Sequence, residues 1–245
     1  MKKFLHIRLL VLLFMAGMTL LGLSCKKTGV TPEKQQHVTL VNDTITKDGI
    51  TLLFINTDTA FQIKGDSVRK NYEKTFFIVY PQIMAYFNPD APHTVTMLMD
   101  TAYDGIAATG GDVIHFDPGN SLDHPHDLNV ITHEVTHVIQ QYHYDGEPAW
   151  LTEGIADYSK NKFGVPYGFD GWYIADYAVG DDYHTGYGIV TRFILWAEAK
   201  YNTPMVQTLD KAMRDGTYDN DKTWEDLTGS TFDQLWNKYI INPYF

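Results

Sequence analysis

The chain has 245 residues with 19 Lys and Arg against 30 Asp and Glu, a formal net charge of −11. That balance argues against a nucleic-acid partner, which needs a basic footprint. Hydrophobic residues at 44% and aromatics at 14% exclude a disordered chain and suffice for one core.

Residues 1–24 form a secretory signal pattern: a basic "MKK" start, then the apolar run "FLHIRLLVLLFMAGMTLLGL". The sole cysteine, Cys25, follows directly, where a bacterial lipoprotein signal places its acylated residue. Cleavage there removes Lys2, Lys3 and Arg8 and leaves 16 cations against 30 anions, a net charge of −14. The expected location is extracytoplasmic, with membrane contact only through a lipid anchor at Cys25. With no second cysteine there is no disulfide, so stability must come from the core. Residues 25–36 read as a polar tether, and 37–245 as one domain.

Residues 37–59, rich in Val, Thr and Ile with Asp-Gly turn chemistry, predict short strands. Residues 69–87 carry apolar side chains on a helical period, with Pro81 inside the run. Residues 93–118 alternate like strands, with Asp-Gly and Gly-Gly turns. Helical patterns follow at 126–144, 149–162, 185–201, 203–214 and 231–241. Strands first and helices afterwards predict an α+β fold: a small mixed or antiparallel sheet on a mostly helical body. Within the strands, "GGDVIHF" (110–116) is a candidate ledge for an extended substrate, with His115 near the cleft. His124 and His126 belong to the turn that leads into the next helix.

That helix carries His133-Glu134-Val135-Thr136-His137. Residues four apart lie about 40° apart in helical projection, so both imidazoles face one side and can bind one Zn²⁺. Glu134, about 100° round from His133, sits beside the metal and suits the general base for its water. The uncharged flanks "VIT" and "VIQ" bury this helix, and a metal supplies the partners that buried histidines and a glutamate require.

A catalytic zinc normally takes a third protein ligand. His143 has metzincin spacing, but Gln140 occupies the position where that motif has the glycine that ends the helix. If the helix runs on past Gln140, His143 points about 240° round from His137. Glu153, in "PAWLTEGIADY", is the gluzincin-type alternative, from a second helix opened by Pro148. Asp157, one turn later, can accept the outer N–H of a ligand histidine. Helix geometry favours Glu153. For the oxyanion donor that peptide hydrolysis needs, "DDYHTGYGIVTRF" offers Tyr183, His184 and Tyr187, of which Tyr187 is preferred. Arg192 is a candidate clamp for a substrate carboxylate.

The ordered blocks "ITHEVTHVIQQY", "LTEGIADY", "GYGIVTRFILWAE" and "TFDQLWNKY", with "DGIAATGGDVIHFDP" before them, resemble the basic secretory protein family, secreted gluzincin-like peptidases of plants and bacteria. The resemblance runs from about Arg69 to the C-terminus. It implies His133, His137 and Glu153 as zinc ligands, Glu134 as catalytic base and a peptide or protein substrate. The acidic charge and the expected anchor depart from the family's pattern. The rival readings are a peptide- or glycan-binding lipoprotein on the same scaffold, a cell-wall amidase, and a metzincin-like site using His143. The intact Glu134 speaks against the binding module, which has no use for a base.

Overall fold

The computed structural model describes residues 42–142, 148–166 and 173–245. Cys25, the tether and His143 lie outside them, and no helix among the described residues is long and apolar enough to cross a membrane.

Strands β1 (Asn42–Lys47) and β2 (Ile50–Asn56) form a hairpin, turned by Asp48 and Gly49 with positive φ. Helices α1 (Thr59–Lys64) and α2 (Asp66–Phe87) cross over to β3 (Thr94–Met99), which runs parallel to β2. Then come β4 (Ala107–Gly110) and β5 (Val113–Phe116). The order is β1-β2-β3-β5-β4, with β3 parallel to β5 and β4 antiparallel to β5 at the edge. Alternation decides the faces: Leu52, Phe54, Val95, Met97, Ile114 and Phe116 are buried towards the helices, and their neighbours face outwards. The fold is α+β with a mixed sheet, as the order of strand and helix patterns predicts.

The remaining helices are α3 (Pro118–Asp123), α4 (Asn129–Gln140), α5 (Ala149–Phe163), α6 (Tyr187–Tyr201), α7 (Val206–Arg214), α8 (Lys222–Thr228) and α9 (Phe232–Ile241). α2 runs unbroken through Pro81. α4 presents Ile131, Val135, Val138 and Ile139 to the core and lies between α2, α5 and the β4 edge.

Two sequence expectations need correction. β5 has partners on both sides, so the sheet edge on the cleft side is β4 (Ala107–Gly110) and not "GGDVIHF", β1 being the opposite edge. The Gly110-Gly111 turn folds β4 back onto β5 and leaves β4 outermost. Second, α4 does not run on past Gln140. Gln141 adopts a left-handed conformation (φ 47°, ψ 37°), and Asn88 donates to the Ile139 carbonyl at 2.9 Å, satisfying a group that a helix end leaves open. The helix therefore stops without the glycine that the motif comparison demanded.

Candidate metal centre

Helical spacing puts His133 and His137 on one side of α4, and α5 brings Glu153 against them. Two close approaches hold α5 in place. Gly154 packs so tightly on α6 that a Cβ would lie 2.3 Å from Val190 Cγ1, and Thr191 donates to the Gly154 carbonyl at 2.9 Å. Gly186, at φ 75°, turns the chain into α6 where a Cβ would lie 3.3 Å from Glu153 Cβ and 3.4 Å from the Trp150 backbone.

Three donor atoms converge. His133 Nε2 lies 3.0 Å from His137 Nε2 and 3.1 Å from Glu153 Oε2, and His137 Nε2 lies 3.6 Å from the same oxygen. Tetrahedral bonds of about 2.0–2.2 Å space their ligands roughly 3.3–3.6 Å apart, so this triangle comes within a few tenths of an ångström of one face of a zinc site. Among the described residues no other cluster of three His, Cys, Asp or Glu has such geometry.

The outer nitrogens show what the inner ones must do. Asp157 Oδ1 lies 2.9 Å from His133 Nδ1, so that nitrogen carries the proton. Gln140 Oε1 lies 2.7 Å from His137 Nδ1, while Gln140 Nε2 donates to the Thr152 carbonyl at 3.0 Å. A carbonyl only accepts, so the Gln140 amide nitrogen faces Thr152 and its oxygen faces His137. Both Nδ1 atoms are thus donors. Two Nε2 atoms and a carboxylate oxygen therefore face one another: neutral imidazoles present lone pairs there, a set that fits a cation, and without a cation a proton on His133 Nε2 takes its place. Burial disfavours the Glu153 carboxylate, but hydrogen bonds from His133 and His137 override it and hold its pKa well below the usual range. Burial also opposes charge on His133, yet hydrogen bonds to Asp157 and Glu153 raise its pKa to about 9.

Glu134 is buried, lines the same cleft and stands outside the triangle. Its Oε2 accepts a 2.7 Å hydrogen bond from Thr109 Oγ1 on β4. Lys160 pairs with Asp157 at 3.2 Å. A cleft of about 510 Å³ contains His133, Glu134, His137, Glu153, Asp157 and Tyr187, with Ile106–Thr109 along one wall. Tyr187 lies over His133, ring centroids 6.0 Å apart and planes 18° from parallel, and is half exposed. Its φ of 49° is a left-handed value that costs a tyrosine roughly 1–3 kcal/mol.

The other candidates lie elsewhere. Tyr183 packs among Trp150, Phe232 and Trp236, and exposed His184 stacks on it and bonds Asp182. His124 ends α3 and, with His126, is exposed in the turn before α4. His115 pairs with Asp100 at 2.8 Å on the outward sheet face. Arg192 pairs with Asp176 and reaches the Pro243 carbonyl, away from the cleft. Sequence reasoning gives no role to Thr109 or Lys160 and treats Gln140 only as the residue in place of the motif's glycine. Gln140 alone had a local signal, three residues after His137 on the same helix face.

A family described as peptidases of plants and bacteria matches residues 66–239. No curated protein matches the chain. Solved structures with a similar fold include a two-domain M1 zinc metallopeptidase mutant bound to L-tryptophan, 9% identical with a TM-score of 0.47, the match covering 84% of this chain and 52% of that one. An M1 zinc metallopeptidase from Deinococcus radiodurans is 10% identical with a TM-score of 0.46 over the same shares. A mutant of an M1 enzyme from that bacterium, bound to a Tyr-Ser-Ala substrate, is 10% identical with a TM-score of 0.45, covering 84% and 53%. This chain thus spans about half the length of these structures. The family match takes in α4, α5 and α6 and every residue that converges on the cleft, and the chain belongs to this family of peptidases of plants and bacteria.

Proposed function

We propose that the protein is a zinc-dependent peptidase in which His133, His137 and Glu153 hold one ion and Glu134 moves the proton. The observation that carries this is the convergence of two Nε2 atoms, each a lone-pair donor to metal when its ring is neutral, and a carboxylate oxygen at 3.0–3.6 Å. Zinc bound there supplies a Lewis acid for the scissile carbonyl and acidifies the attacking water. Glu134 takes the proton of that water and hands it to the leaving amine. The Thr109 hydroxyl steadies the carboxylate meanwhile. The open edge of β4 offers backbone N–H and C=O groups to an extended peptide, which would lie along Ala107–Gly110. Incubation with a mixed peptide library tests the reading. Cleavage should stop with a chelator and return with zinc; cleavage indifferent to the chelator would sink it.

Tyr187 is proposed as the oxyanion donor, because it alone of the three candidates lines the cleft. A donor used only in the transition state changes kcat and leaves ground-state binding nearly alone. Tyr187→Phe keeps the ring over His133, so KM and zinc content should hold while kcat falls about 10²–10³-fold. An unchanged kcat would assign Tyr187 to packing only.

The zinc reading also fixes a pH dependence. The His133 pKa is raised to about 9, so below that value the ion must displace a proton to reach Nε2. Zinc affinity is expected to rise roughly tenfold per pH unit between about pH 6 and 9. Competition titrations at several pH values measure this, and a flat profile contradicts it.

A further inference from the structure

We propose that Gln140 is a positioning residue that couples the two helices of the site, setting the orientation of His137 and the approach of Glu153 through one side chain. The inference rests on the zinc reading above and adds a residue to it.

Gln140 is the last residue of α4 and is buried. Its two hydrogen bonds run in opposite directions. The amide nitrogen donates to the Thr152 carbonyl at 3.0 Å, and the amide oxygen accepts from His137 Nδ1 at 2.7 Å. An amide carries a donor and an acceptor on one rigid plane, so one side chain serves both partners. The Thr152 carbonyl can only accept, which fixes the direction of the whole chain. The His137 proton is thereby held on Nδ1, and the Nε2 lone pair points at Glu153 and His133. Thr152 is also the residue before Glu153, so the same amide pins α5 one peptide from the third ligand. His133 has Asp157 in the corresponding place. The two histidines thus have unlike outer partners, a carboxylate on one and a neutral amide on the other.

The local backbone supports this use of the residue. A continued helix would carry Gln140 through another turn; instead Gln141 takes the left-handed conformation and Asn88 satisfies the Ile139 carbonyl. The helix ends where its last side chain is needed for the bridge. An amide buried there without partners would cost free energy, so the two bonds and the burial belong together.

The test uses zinc affinity and metal-free stability, measured on the same variants. Gln140→Met keeps length and loses both bonds; its zinc affinity should fall about 10–100-fold, the usual effect of losing an outer partner of a ligand histidine. Gln140→Glu keeps an acceptor for His137 and loses the donor to Thr152. It should bind zinc within about tenfold of the wild type while its metal-free form melts at a lower temperature than wild type. A purely structural glutamine predicts another pattern: lowered metal-free stability in both variants with wild-type zinc affinity in both. That result overturns the inference and leaves the zinc reading standing. Equal loss of affinity in both variants overturns it too, since the acceptor at this position would then not matter. A wild-type protein that binds no zinc overturns the metal reading itself.

Discussion

Glu134→Gln is expected to bind one zinc ion per chain and to lose about 10²–10⁴ in kcat, the range that a positioned general base contributes. The geometry separates the two properties. Glu134 stands next to His133 in sequence but outside the triangle of converging donors, and its carboxylate is turned to the Thr109 hydroxyl. An amide has the same shape and its oxygen still accepts from Thr109, so the fold should hold. It cannot take a proton from water at any useful pH. Zinc analysis of the purified variant beside its kcat decides the point. Loss of the ion would make Glu134 a ligand, and full activity would remove it from the mechanism.

Glu153→Ala should have the larger effect on the metal. Losing an outer partner costs about 10–100-fold in affinity, and a direct ligand should exceed that. The change also removes a carboxylate whose hydrogen bond helps raise the pKa of His133. The remaining imidazoles would hold an ion with two protein donors where zinc sites normally have three or four. His143→Ala, by contrast, should leave affinity near the wild-type value. A metal titration that ranks the two variants the other way would make the site metzincin-like, with His143 as third ligand.

Features of the fold and site that depend on short, periodic spacing are readable from the sequence. His133 and His137 four apart on a buried helix, and Glu153 with Asp157 four apart on the next, carry their geometry in the helical repeat itself. The helices at 149–163 and 187–201 were bounded within two residues for the same reason. Helices α1, α3 and α8 went unread because six or seven residues hold too few turns for a period to emerge. The edge strand was misplaced because strand order is a non-local property; nothing within "AATGGDVIHF" says which arm of the hairpin pairs with β3. Thr109 followed that error, since its bond to Glu134 exists only once β4 is the arm beside α4. The end of α4 depends on Asn88, 51 residues away from the carbonyl it satisfies. Gln140 was noticed in sequence only as a missing glycine. Its role comes from Thr152, which no local pattern connects to it.

Anomalous diffraction from zinc-loaded crystals, measured on both sides of the zinc absorption edge, locates the ion and its ligands. A single zinc peak is expected about 2.0–2.2 Å from His133 Nε2, His137 Nε2 and a Glu153 carboxylate oxygen, with Glu134 outside bonding distance. A peak bonded by His143 or Glu134 in place of Glu153, or no peak between the two histidines, would rule out a centre built from His133, His137 and Glu153.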